Sequence, residues 1–179
     1  MKDLLIAVMA FTLTIAVPSA RGQETKATEK AEAAEAAKNA PALASALKGV
    51  TVSLQDGLKA SESQGKPISG KYEIEDGKLQ LSVYTVKDGR YFEVIVDHKT
   101  GKIAKAEPIT EKEDLADAKK QATAMLKAGS SLTEAVAKAE KAHPGYHAVS
   151  IAAELEGGGA NADVTLLKGT ASKEVDEKL

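Results

Sequence analysis

Three dipeptides constrain this chain more than anything else in it: Asp76-Gly77, Asp88-Gly89 and Thr100-Gly101. Each sits between runs rich in Val, Ile, Leu, Tyr and Phe, and each supplies residues that tolerate positive φ in a tight turn. Between the turns the pattern has period two. Tyr72 and Ile74 alternate with Glu73 and Glu75, and Leu79, Leu81 and Val83 alternate with Gln80, Ser82 and Tyr84. Phe92, Val94 and Val96 then alternate with Tyr91, Glu93 and Ile95, and Ile103 opens a short last run. Residues 70–105 therefore predict an antiparallel meander of four strands with one buried and one wet face.

A buried sheet face needs cover, and helix signals precede it. Asn39 and Pro41 suit a cap and a first turn, Leu43 and Leu47 share a face, and Gly49 is a stop. Ser53 and Asp56 form a capping box, and Leu54 and Leu58 continue the apolar stripe. Gly57 weakens this helix by up to about 1 kcal/mol against Ala, and Gly65 with Pro67 ends it. The same order then recurs. Thr110 with Glu113, and Ser131 with Glu134, read as capping boxes that open two more helices, the second ending at His143-Pro144-Gly145. Strands follow at Tyr146–Leu155, Ala162–Leu167 and near Lys173–Val175, with turns at Gly157–Gly159 and Lys168-Gly169. The predicted fold class is α+β, with two tandem helix-helix-antiparallel sheet repeats, helices packed on one sheet face, over 41–109 and 110–179. The second copy is degenerate: it lacks the Asp-Gly turns and most aromatics.

The first 40 residues are of another kind. Lys2, the apolar run Leu4–Val17 and the small residues after it predict a secretory signal peptide over 1–22, cleaved after Gly22. The run is shorter than the roughly 20 apolar residues of a comfortable span. Export across the inner membrane to the periplasm follows, with anchoring by an uncleaved signal as the alternative. Residues 23–40 are Ala/Glu/Lys-rich and read as a linker, a frayed helix or a helix that docks on a partner. The chain has no Cys, so stability rests on packing rather than disulfides. With 24 Lys+Arg against 26 Asp+Glu, it lacks the basic balance that nucleic acid requires. Beyond the leader Arg90 is the sole arginine, and Lys suits solvated faces better than bidentate anion recognition.

The run YFEVIVDHKTGKI at 91–103 resembles the signature of PepSY domains, in which an aromatic-bearing strand leads into a Val-Asp-x-x-Thr-Gly-Lys turn. The matching residues are Phe92, Val94, Val96, Asp97, Thr100, Gly101 and Lys102, and the SLQDGLKASE helix upstream is similar to the helix that opens a PepSY unit. The likeness is good over 53–107, weaker over 131–179 and absent before 50. It implies helices packed on an antiparallel sheet and a role in binding proteins outside the cytoplasm. Such domains occur in propeptides of thermolysin-like peptidases, so an envelope peptidase is the implied partner. The tandem arrangement is also similar in architecture to the beta-lactamase inhibitor protein, where two such sheets form a concave binding surface. The resemblance supplies no catalytic residue and no cofactor.

The residues themselves agree in offering little chemistry. Asp97 and Gly101 are explained by the turn: a carboxylate accepting its own backbone amides and a glycine at positive φ. A calcium site would want more oxygen ligands at short spacing. His143 and His147 have metal-ligand spacing only on a helix, which Pro144 and Gly145 interrupt, so no metal is expected; His98 falls in a turn. Glu73, Glu75 and Glu93 fall on the wet phase of strands with no pocket implied, and no nucleophile motif or phosphate loop occurs. What remains is Tyr84, Val86, Tyr91 and Ile95, apolar or aromatic yet out of phase with the buried set. Neighbouring strands bring them together on the second sheet face, as a contact between the repeats or as a partner-binding surface. The sequence thus predicts a non-enzymatic, exported binding module of PepSY type, without cofactor. The alternative is a small-molecule or metal binder using the groove between the repeats.

Overall fold

The computed structural model describes residues 40–179; the predicted signal peptide and most of the predicted Ala/Glu/Lys-rich linker lie outside the described residues. Helix α1, described over 40–46, runs into a 3-10 turn at Leu47–Gly49. Then come α2 (Leu54–Ser61), β1 (Lys66–Glu75), β2 (Lys78–Lys87), β3 (Arg90–Val96) and β4 (Ile103–Pro108). The second half supplies α3 (Lys112–Lys127), α4 (Leu132–Ala142), β5 (His147–Glu156), β6 (Gly159–Lys168) and β7 (Ala171–Lys178). The strands form one antiparallel sheet in the order β4-β3-β2-β1-β5-β6-β7. The two meanders meet at a short seam where Ser69, Gly70 and Lys71 face Ala152, Ile151 and Ser150.

The local signals act as their chemistry dictates. Asp76 and Asp88 adopt φ of 49° and 52°, and Gly77 and Gly89 follow at 74° and 73°. Positive φ at both central residues is the turn whose twist matches a hairpin. Ser53 and Ser131 each accept the amide three residues on, and Asp56 and Glu134 reach back to close both capping boxes. Pro67, read as a breaker, lies inside β1. It has no N–H to give a ladder, and a register shift between Pro67 and Ser69 absorbs it. The predicted cap at Thr110 does not form. The Ile109 amide donates to the Tyr91 carbonyl and prolongs the β4 ladder, so α3 starts at Lys112 with Glu111 as an N-cap lacking a side-chain bond.

One sheet face carries the core. Gly70, Tyr72, Leu81, Val83, Val94 and Val96 share it with Ile151, Val164 and Leu166 by register. Helix α2 lies on it through Leu54 and Leu58, both buried. Two glycines permit the approach. A Cβ at Gly57 would stand 2.5 Å from Leu81 Cδ2, and one at Gly70 3.2 Å from Leu58 Cδ2. Gly57 thus gives up helix propensity for contact with the sheet. Tyr72 donates its hydroxyl to the Val52 carbonyl ahead of α2. Helix α4 covers the other half of this face with Leu132, Ala135, Val136 and Ala139, and Lys138 reaches Glu177 on β7 at 2.7 Å.

The expectation that the helices share one face is corrected here, as is that of two separate sheets. Helix α3 lies on the opposite face, where Ser69 donates to Gln121 Oε1 at 2.7 Å. Helix α1 is there too, its Ala40 and Leu43, with Leu47 of the 3-10 turn that follows, packed on Val149 and Leu167 of β5 and β6. The first helix therefore covers the second meander. The physical reason is the small and apolar material along the seam, Ser69, Ala152 and Val149, which accepts the alanine stripe Ala118 and Ala122 of α3.

Candidate functional site

The second face is only partly covered, and a cleft of about 790 Å³ remains on it. Its floor is Ser69, Lys71 and Glu73 of β1, Tyr84 of β2, Ser150 and Ala152 of β5 and Thr165 of β6. Helix α3 contributes Asp114, Asp117 and Gln121, α1 contributes Leu43, and β7 contributes Ser172 and Glu174. Both halves of the chain are needed to build it. A smaller cavity of about 440 Å³ lies at the sheet end, where Lys66 donates to the Met125 carbonyl at 2.7 Å and Val86 forms part of the lining.

The floor is a tied polar network. Lys71 pairs with Glu73 at 2.7 Å, and its Nζ lies 5.8 Å from the Tyr84 ring centroid. Ser82 donates to Glu73 Oε1 at 2.7 Å, and Gln80 donates to Ser82 and to Glu75. The Tyr84 hydroxyl stands 3.5 Å from Glu93 Oε1. Burial pushes the Tyr84 phenol well up, and the charges of Glu93, Glu73 and Asp114 add to it, so it stays protonated as a donor. Burial also raises Glu93, opposed by the Ser82 hydroxyl and reinforced by Glu73 and Glu75. These carboxylates are engaged with Ser82, Gln80, Tyr84 and Lys71. They hold the floor of the cleft in place.

Tyr84, Val86, Tyr91 and Ile95 do share the second face: Val86 faces Tyr91, Tyr84 faces Glu93 and Ser82 faces Ile95. All four are half-buried. Tyr84 belongs to the cleft, and the other three extend from it as a band along β2 and β3. The motif residues divide differently. Val94 and Val96 are buried in the core and Phe92 packs against it. Asp97 Oδ1 accepts the amides of Thr100 and Lys99 at 2.7 and 3.0 Å and the Thr100 hydroxyl at 3.0 Å, and those bonds hold its carboxyl below the ordinary value. Gly101 turns at φ 70°, and Lys102 is exposed with its carbonyl taking the Asp97 amide. The turn has a further task. The His98 carbonyl accepts the amides of Thr51 and Val52, and the Lys99 carbonyl accepts the Thr51 hydroxyl at 2.6 Å. It clamps the connecting segment 50–53 at the point where the chain passes from one sheet face to the other.

His143 Nδ1 sits 3.0 Å from the Ala139 carbonyl, and the ring meets Tyr146 edge-on; His147 begins β5. No group of three His, Asp or Glu among the described residues could hold a metal ion. No helix among them is long and apolar enough to cross a membrane. Sequence reasoning missed Ser69, Asp114, Asp117, Gln121, Ser150 and Thr165. Their only signal was a small-residue helix face without large apolar partners, which did not say where that helix packs.

No protein-family model and no curated protein matches the chain. Among solved structures, a Clostridium difficile 630 protein described as a "putative lipoprotein" is similar, at 14% identity over 72% of this chain and 87% of that one, with a TM-score of 0.42. A likeness of that size carries no argument about fold or function.

Proposed function

We propose that this protein is a non-enzymatic binding module of PepSY type, built by tandem duplication, that acts after export and engages another extracytoplasmic protein. The observation that carries the reading is the cleft itself, which takes residues from both halves and is continuous with the half-buried band Val86, Tyr91 and Ile95. Its volume falls in the range of about 300–1,000 Å³ typical of ligand sites. The polar groups on its floor are held by one another, as a preformed docking surface requires. An envelope peptidase is the partner that the 91–103 resemblance favours. In capture from envelope extract, the full chain is expected to retain a peptidase, and Tyr84→Ala with Tyr91→Ala to lose it while remaining folded. Retention by neither protein, or equal retention by both, contradicts the reading. The second reading, a small molecule in the same cleft, rests on that same volume. It predicts a rise in melting temperature with a metabolite, since a ligand of the native state stabilises it.

A further inference from the structure

The chemistry of the cleft narrows what it takes, provided the cleft is the binding site proposed above. Its lining sets Glu73, Asp114, Asp117, Asp163 and Glu174 against one lysine, Lys71. Lys71 already pairs with Glu73, and Asp117 pairs with Lys120 at 2.7 Å. Asp114 and Glu174 are exposed on different walls, α3 and β7. A trough lined by one sign of charge concentrates ions of the other sign. Apolar side chains stand beside these carboxylates: Leu43 on α1, and Val149 and Leu167 beneath it.

The geometry points to a cationic peptide as the occupant, an extended segment of another protein in which Lys or Arg alternates with apolar residues. Its cationic groups meet Asp114 and Glu174, and its apolar side chains lie against Ala42 and Leu43 of α1. Charge complementarity selects this occupant over the others the molecule offers. Residues 23–39 of the chain bear Glu24, Glu29, Glu32 and Glu35 against Lys26, Lys30 and Lys38, and a second copy carries a formal net charge of −2. Neither matches an acidic trough.

The test titrates the full chain with labelled short peptides of alternating Lys and Leu, and of alternating Glu and Leu. Binding of the basic peptide alone is expected, weakening as salt rises. Asp114→Asn with Glu174→Gln should bind it roughly fivefold more weakly, the size of two exposed charge contacts. Ser172→Lys, which adds a positive charge to the lining of the cleft, should weaken it as well. Asp76→Asn with Asp88→Asn removes the same charge at hairpin turns where Asn is at home, and should bind as the unaltered chain does. Equal binding of both peptides, or equal loss in the turn variant, overturns the proposal. If the basic peptide fails while Tyr84- and Tyr91-dependent capture persists, the cationic ligand is wrong and the binding-module reading stands. If both fail, both are wrong.

Discussion

The meander β1–β4 and the meander β5–β7 lie side by side in one sheet and are built from different material. The first buries Leu81, Val83, Val94 and Val96 under Leu54 and Leu58. The second buries Ala148, Ala153, Ala160 and Ala162 among Ile151, Val164 and Leu166, beneath the alanine-rich α4. The turns differ in the same way. The first half reaches positive φ with Asp followed by Gly, whereas the β5–β6 turn uses Gly157 and Gly158 at 57° and 85°. At that turn Gly-Gly reaches the same positive φ at both central positions as Asp-Gly does in the first half, whereas the β6–β7 turn has positive φ at Gly169 alone. Large side chains fix one helix on one face. Small ones leave room on both faces, and the cleft lies where the two materials meet.

The largest test of this contrast exchanges the materials. Leu81→Ala should cost about 2–5 kcal/mol in denaturant unfolding, the range for a large-to-small change in a packed core. Ala162→Leu should cost about 1–3 kcal/mol by overpacking. If Ala162→Leu is neutral, the second half is loosely packed and the contrast fails. The helix starts should not differ between halves. Ser53→Ala and Ser131→Ala each remove one capping box and should each cost about 0.5–2 kcal/mol. A third change should stabilise. The Thr85 hydroxyl is buried without a partner on the core face, and Thr85→Val keeps the shape while removing it, for a gain of about 1 kcal/mol.

The smallest effect is in pH. Asp56 and Glu134 lie below their ordinary values because the side chain and backbone of Ser53 and Ser131 donate to them. A carboxyl lowered in the folded state contributes stability above the unfolded value, and that stability is lost as pH falls through the folded one. Acid titration of Asp56→Asn should therefore show a shallower loss of melting temperature below about pH 4 than the unaltered chain. Glu93 has the opposite sign. Its raised value means that the charged form is disfavoured in the fold, so Glu93→Gln should raise the melting temperature at neutral pH.

Much of the fold was legible wherever one residue's backbone preference decides the matter. Asp-Gly, Ser-x-x-Asp and Ser-x-x-Glu each report a local geometry, and the strands and helices they bound are where they predict. Placement across the sheet was not legible. Leu43 of α1 and Leu47 of the turn after it mark an apolar stripe without saying that its partners are Val149 and Leu167, about a hundred residues away in the sequence. The β1–β5 seam rests on Ser69, Gly70 and Lys71, which carry no pairing signal of their own. Of the candidate site, the second-face band Tyr84, Val86, Tyr91 and Ile95 was visible through its phase. The opposing wall was not, because Asp114, Asp117 and Gln121 read as an ordinary solvated helix face until α3 is set against the sheet.

The most direct test of the central claim, that function lies on the α1 and α3 side of the sheet, is site-specific photocrosslinking of the full chain in the cells that produce it. Crosslinkers would replace Asp117 in the cleft, Tyr91 on the band and Lys59 on the exposed side of α2. The account predicts one shared protein adduct from positions 117 and 91 and none from 59. An adduct from 59 alone, or the same adduct from all three positions, would contradict it.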